Sequence, residues 1–144
     1  MIQPRIICVD ADGTCFTHEF PYIGRDIGAV PVLRELVAAG HKLILWTMRS
    51  DGRTATTARN GQPLHSPNPL TDAVNWFKRH DIALWAVNRN PEQDKWTSSP
   101  KSYGQLYIDD AALGAPLIDN GVDRPYLDWN AVRDYLVKHN YLQK

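Results

Sequence analysis

The run Ile6-Ile7-Cys8-Val9-Asp10-Ala11-Asp12-Gly13-Thr14 constrains the fold more than any other stretch of this chain. Four apolar residues lead straight into two carboxylates one residue apart, and a glycine follows. A nearly continuous apolar run is the pattern of a strand covered on both faces, as in a parallel sheet. Gly13 permits the sharp turn that must come next. Two anions held that close repel each other unless a cation or a shared proton intervenes. A fold does not need such an arrangement for its own sake. The stretch therefore predicts a buried strand that delivers two carboxylates to its carboxyl end for chemistry.

The remaining elements fall into place around that strand, read as residues 5–11. Residues 29–39 read as a helix, with Val30, Leu33, Leu36 and Val37 on one face and Gly40 as its stop. Residues 42–47 give a second buried strand ending in Thr47, and the strand-helix-strand unit should cross over right-handed. Residues 70–80 read as a helix, 82–87 as a third strand, 88–102 as polar loop and 105–109 as a fourth strand ending in Asp109-Asp110. Residues 116–118 predict a short fifth strand, and 128–139 a closing helix. Residues 14–24 suggest a compact turn or small hairpin. Residues 50–69 carry Gly52, Asn60-Gly61 and three prolines, so a hairpin over 53–65 or a miniature lid is expected there.

This pattern predicts one α/β domain over residues 1–144. The expected architecture is a three-layer sandwich with a doubly wound, Rossmann-like, mostly parallel five-stranded sheet. Such sheets bind ligands outside the carboxyl ends of their strands, where strand order reverses. Asp10, Asp12, Thr47, Asp109 and Asp110 all lie at or just past predicted strand ends and should gather at one rim.

Lys plus Arg equals Asp plus Glu at 16 each, and zero net charge argues against a non-specific nucleic-acid binder. Two cysteines are too few for a disulfide scaffold and predict reduced thiols. The start Met1-Ile2-Gln3-Pro4-Arg5 lacks an apolar leader segment, and no apolar run approaches the roughly 20 residues that span a bilayer. A cytoplasmic protein with no membrane partner is expected.

A rim of three or four carboxylates suits a hard cation with oxygen ligands, and Mg²⁺ favours one or two carboxylates with a substrate phosphate. One Asp would then be free to attack phosphorus, and a second to protonate the leaving oxygen and deprotonate the hydrolytic water. Thr47 can donate to an equatorial phosphoryl oxygen, and Lys101 can supply a point charge. Arg49, just past the second strand with Met48, can bind a substrate anion. His18 and His65 flank the rim, although surface histidine is the simpler expectation. Trp96, in the polar loop, is the tryptophan best placed to meet a ligand.

In this order the residues resemble the haloacid dehalogenase superfamily of phosphohydrolases. Val9-Asp10-Ala11-Asp12-Gly13-Thr14 resembles its first motif, Leu43-Ile44-Leu45-Trp46-Thr47 its second, Lys101 its third, and Leu106-Tyr107-Ile108-Asp109-Asp110 its fourth. The resemblance is strongest to small capless phosphatases of bacteria and phages. It rests further on Leu45-Trp46-Thr47-Met48-Arg49 and on the Ala-Val-Asn-x-Asn-Pro stretch at 86–91. It implies Asp10 as nucleophile, Asp12 as general acid and base, and Thr47 and Lys101 as phosphoryl binders. It also implies Mg²⁺ held by the Asp10 carboxylate, the Asp12 carbonyl and Asp109, with Asp110 as second choice.

Two other readings share the ingredients. A phospho-accepting switch of the receiver type also clusters Asp, Thr and Lys around Mg²⁺. Its acceptor Asp, however, ends the third strand, which here ends Ala86-Val87-Asn88. A haloacid dehalogenase proper would share the fold but would not need Asp12. The sequence favours a small phosphorylated substrate and leaves open a phosphorylated nucleic-acid end or a phosphoprotein. A homo-oligomer whose partner subunit supplies the missing cap is also left open.

Overall fold

A computed structural model describes residues 1–52 and 68–144. Its order is β1 (Ile6–Val9), α1 (Ala29–Ala38), β2 (Lys42–Leu45), α2 (Pro69–Arg79), β3 (Ala86–Val87), β4 (Leu106–Ile108), β5 (Leu117–Ile118), β6 (Tyr126–Leu127) and α3 (Trp129–Lys138). The hairpin or lid expected over 53–65 lies outside the described residues.

Four strands form a parallel sheet in the order β3-β2-β1-β4. The chain moves outward from β1 through β2 to β3, then returns to lay β4 on the other side of β1. Strand order therefore reverses between β1 and β4, and β1 is central. This explains its unbroken apolar sequence: Ile7, Cys8 and Val9 are all buried, since both faces are covered. The ladder continues past the strand, with the Asp10 N–H donating to Ile108 O at 3.0 Å and the Trp46 N–H to Val9 O at 2.8 Å.

Alternation along the strands separates two faces. Ile7, Val9, Leu43, Leu45 and Ile108 join one hydrophobic cluster with Leu33 and Leu36 of α1, Trp76 and Phe77 of α2, and Val132 and Leu136 of α3. Cys8 points the other way, with its Sγ 3.6 Å from Ser102 Oγ in the long β3–β4 crossover. That crossover lies so close that a Cβ on Gly104 would stand 2.8 Å from Cys8 Sγ. It contains a single 3₁₀ turn, Gln93–Lys95, and no α-helix. The expected second helical layer is thus replaced, among the described residues, by irregular chain.

The helix ends follow sequence chemistry. Gly40, at φ +98°, closes α1, where the Gly40 N–H bonds Val37 O and the His41 N–H bonds Leu36 O. Pro69 opens α2, and the Asp51 carboxylate accepts the Leu70 and Thr71 N–H groups. Asp128 caps α3 by accepting from the Asn130 and Ala131 amides.

The expected fifth strand does form, but not in the main sheet. Leu117–Ile118 pairs antiparallel with Tyr126–Leu127 in a separate ribbon. Asn120 Oδ1 accepts the Val122 and Asp123 N–H groups, and Gly121 takes φ +76°. A local turn closes at less entropic cost than a return to the sheet edge. The ribbon reaches the site region through the Leu127 N–H, which donates to Gly13 O at 2.9 Å. The third strand is shorter than expected, although flanking bonds from Trp85 N–H to Leu43 O and from Asn88 N–H to Leu45 O extend its pairing.

Cys8 and Cys15 are free and buried. No helix among the described residues is long and apolar enough to cross a membrane.

Candidate functional site

Asp10 stands at the carboxyl end of β1 and Asp109 and Asp110 at that of β4, where strand order reverses. One carboxylate oxygen from each of the three lies within 4.8 Å of the others. Burial pushes the Asp10 carboxyl up to about 8, and the nearby Asp109 charge adds to the rise. The Ala11 amide and the Thr14 hydroxyl bond to it and pull the other way. Such a cluster resists holding all its negative charges at once. Three oxygen donors of this kind fit a hard divalent cation such as Mg²⁺.

Thr14 joins the two strand ends. It is fully buried, and its Oγ1 lies 3.0 Å from Asp10 Oδ2 and 3.2 Å from Asp110 Oδ1. Its single proton serves one carboxylate at a time, while its oxygen accepts the Asp110 N–H at 2.9 Å. The Thr14 carbonyl accepts from Trp129 Nε1. Gly13 is indispensable to this turn: at φ +77°, a Cβ there would stand 2.0 Å from His18 Nε2 and 2.5 Å from Asp110 Oδ2.

His18 is a site residue that sequence reasoning undervalued. Its Nε2 lies 3.0 Å from Asp110 Oδ2, and both side chains are largely buried. The spacing Gly13-Thr14-x-x-x-His18 carries the only sequence signal, since a tight turn brings the fifth residue after the glycine back over it.

Asp12 is not one of the three clustered acids. Its two oxygens take a bidentate pair from Arg49, at 2.9 Å from Nε and 2.8 Å from Nη2. The sequence expectation that Arg49 binds a substrate anion is corrected here. Its side chain is 1% exposed, and Nη1 donates to Pro21 O and Pro69 O while Nη2 also donates to Tyr22 O. All five guanidinium protons are thereby used within the protein. Phe16 and Phe20 lie against the same guanidinium.

Thr47 is at the rim as expected. Its N–H donates to Asn88 Oδ1 at 2.8 Å, and its Oγ1 accepts the Arg49 N–H at 3.1 Å. Asn88 reaches that position at φ 55°, a conformation that asparagine tolerates. Met48 is 97% exposed and lines no site among the described residues. Lys101 is exposed, with its Nζ 5.4 Å from the Tyr107 ring centroid, and it forms no ion pair among the described residues. The expected placement of Lys101 on the acid cluster is therefore not seen. The Cys15 thiol lies well above its usual range, chiefly through burial and then through the Asp10 and Asp12 charges. It stays a neutral thiol donating to Asp10 O.

Fold and site together define an α/β protein with a parallel sheet, compatible with a Rossmann-like fold, and an acidic cluster at its switch point. A solved structure described as the conserved protein coded by a locus from Bacteroides thetaiotaomicron is similar to it at 26% identity and a TM-score of 0.64. The match covers 99% of this chain and 100% of that one. No family model matches the chain, and no curated protein does.

Proposed function

We propose that this protein is a capless, cytoplasmic phosphohydrolase of the haloacid dehalogenase type, dependent on Mg²⁺ and acting on a phosphomonoester. The observation that carries the reading is the convergence of Asp10, Asp109 and Asp110 at the point where strand order reverses. Asp10 is oriented there by Thr14. Asp10, Asp109 and Asp110 would hold Mg²⁺, which would neutralise the acids and the substrate phosphate.

In this reading an Asp10 oxygen attacks phosphorus, and the bond to the leaving oxygen breaks. That oxygen takes a proton from Asp12. Water then attacks the aspartyl-phosphate, losing its proton to Asp12, and releases inorganic phosphate with Asp10 restored. Thr47 supports the phosphoryl group, since its amide is fixed by Asn88 and, among the described residues, its own proton is left to donate. Lys101 serves the phosphate by swinging off Tyr107. Asp12 must turn from Arg49 to reach the leaving oxygen.

That last requirement favours one alternative, a phospho-accepting switch in which Asp12 stays paired and the aspartyl-phosphate persists. Hydrolysis of p-nitrophenyl phosphate separates the two. The phosphatase turns over repeatedly with Mg²⁺ and stops when the metal is chelated. A single stoichiometric burst without turnover would select the switch.

A further inference from the structure

The β3–β4 crossover builds a second feature, of which the proposed chemistry uses Lys101 alone. Trp96, Thr97, Ser99, Lys101, Ser102, Tyr103 and Tyr107 line a pocket of about 230 Å³. Trp96 is 66% exposed and Tyr103 42% exposed, an unusual display of rings on a polar loop. The two rings meet edge to face, with centroids 5.8 Å apart and planes at 85°. They form a corner that offers a flat ligand one ring face and one ring edge.

The corner is held open by buried polar bonds. Gln93 is buried; its Nε2 donates to Ser99 O and Lys101 O, and its Oε1 accepts the Tyr103 N–H. Tyr107 Oη donates to Ser102 O at 2.6 Å, which fixes that ring too. A pocket so pinned loses little freedom when it binds.

One wall of the pocket, Tyr107, belongs to β4 two residues before Asp109 of the acid cluster. The Gln105 N–H bonds Ile6 O at the start of β1, and Ser102 lies against Cys8 halfway along it. The segment therefore runs back toward the carboxyl end of β1 as residue number falls. Tyr107 pairs in register with Cys8, and Asp10 is two residues, roughly 7 Å, further along. Lys101 lies over the ring of Tyr107, on the wall that the pocket shares with β4.

We infer that this corner is a leaving-group subsite for a nucleobase, so that the substrate of the proposed phosphatase is a nucleoside phosphate, free or at the end of an oligonucleotide. This rests on the phosphatase reading for the phosphate's position only. Aromatic faces bind bases of any sequence by stacking. A nucleobase is favoured over a plain phenyl ring because hydroxyl donors border the rings. The Thr97 hydroxyl accepts the Ser99 N–H, and the Ser99 hydroxyl accepts the Lys101 N–H. Among the described residues the protons of both hydroxyls are left to donate to ring heteroatoms. Lys101 supplies the positive charge toward the phosphate.

Equilibrium binding to the intact Asp10→Asn protein, in which hydrolysis is blocked, tests this by calorimetry with Mg²⁺ present. Adenosine monophosphate should bind at least about tenfold tighter than ribose 5-phosphate, the gain expected from stacking one base. Trp96→Ala and Tyr103→Ala should each narrow that gap. Both residues are exposed, and circular dichroism checks that the variants fold. A 5′-phosphorylated oligonucleotide binding tighter still identifies a polymer end as the source, and weaker binding identifies the free nucleotide. Equal affinity for the two small ligands, no binding of either, an unchanged gap in both variants, or tighter binding of O-phosphotyrosine would each overturn the subsite. Base-dependent binding, with no hydrolysis of adenosine monophosphate or p-nitrophenyl phosphate by the wild-type protein, would keep the subsite and discard the phosphatase.

Discussion

Asp10→Asn should reduce p-nitrophenyl phosphate hydrolysis by at least about three orders of magnitude and, in the metal-free protein, raise stability at the same time. Loss follows because an amide oxygen cannot form the aspartyl-phosphate. The gain follows from the surroundings of Asp10. Burial and the Asp109 charge lift its carboxyl from 3.8 to about 8 on folding. An acid whose folded value is raised costs nothing while both states are protonated, below about pH 4. As pH rises toward 8 the unfolded chain ionises freely and the folded chain does not, so stability is lost across that window. At pH 8 the penalty is on the order of a few kcal/mol, and Asp10→Asn removes it. Thermal melts in chelator should show wild type falling below the variant as pH rises from 4 to 8. Mg²⁺ should flatten the wild-type profile. A variant that keeps its activity, or melts that run parallel at every pH, would contradict the assignment of this acid.

Arg49→Ala should cost about 3–5 kcal/mol of stability, because it leaves a buried network with one partner missing. The Asp12 carboxylate loses both of its guanidinium bonds, and the Pro21, Tyr22 and Pro69 carbonyls lose theirs. For a domain of this size the melting temperature should fall by roughly 10 °C. Arg49→Lys keeps the charge but has three donors on a point-like head, against five in a planar fork. It should recover less than half of the loss. Chemical denaturation of both variants checks this, and a cost below about 0.5 kcal/mol for Arg49→Ala would show that the network carries no weight. Arg49 also ties Asp12 to the start of α2, so these variants should disturb the position of Asp12 as well as the fold.

The contrast between these two residues shows what sequence can carry. The position of Asp10 was legible because it follows from strand periodicity: a continuous apolar run must be a buried parallel strand, and whatever ends it stands at the rim. The same logic located Thr47, Asp109 and Asp110. Arg49 is also just past a strand, and position alone suggested a ligand. Its actual partners are the Asp12 carboxylate and the main-chain carbonyls of residues 21, 22 and 69, which no periodicity brings together. Loop closure decides them. The resting place of Lys101 over Tyr107 was illegible for a similar reason, since it depends on how an irregular crossover lies across the sheet. The fifth strand was correct as a local element and wrong as a sheet member. Its β propensity was real, but Asn120-Gly121 offered a nearer partner. The second helical layer was inferred from architecture alone, and a chain rich in Asn, Pro and Ser over 88–102 supplied irregular cover instead.

The proposed chemistry comes down to one covalent bond. Asp12→Asn removes the proton carrier for hydrolysis and should let the intermediate accumulate. That variant, incubated with p-nitrophenyl phosphate and Mg²⁺, quenched in acid and mapped by peptide mass spectrometry, should carry one phosphoryl group on Asp10, and none when Asp10→Asn is added. A phosphoryl group on any other residue, or none under conditions where wild type turns over, would contradict the account.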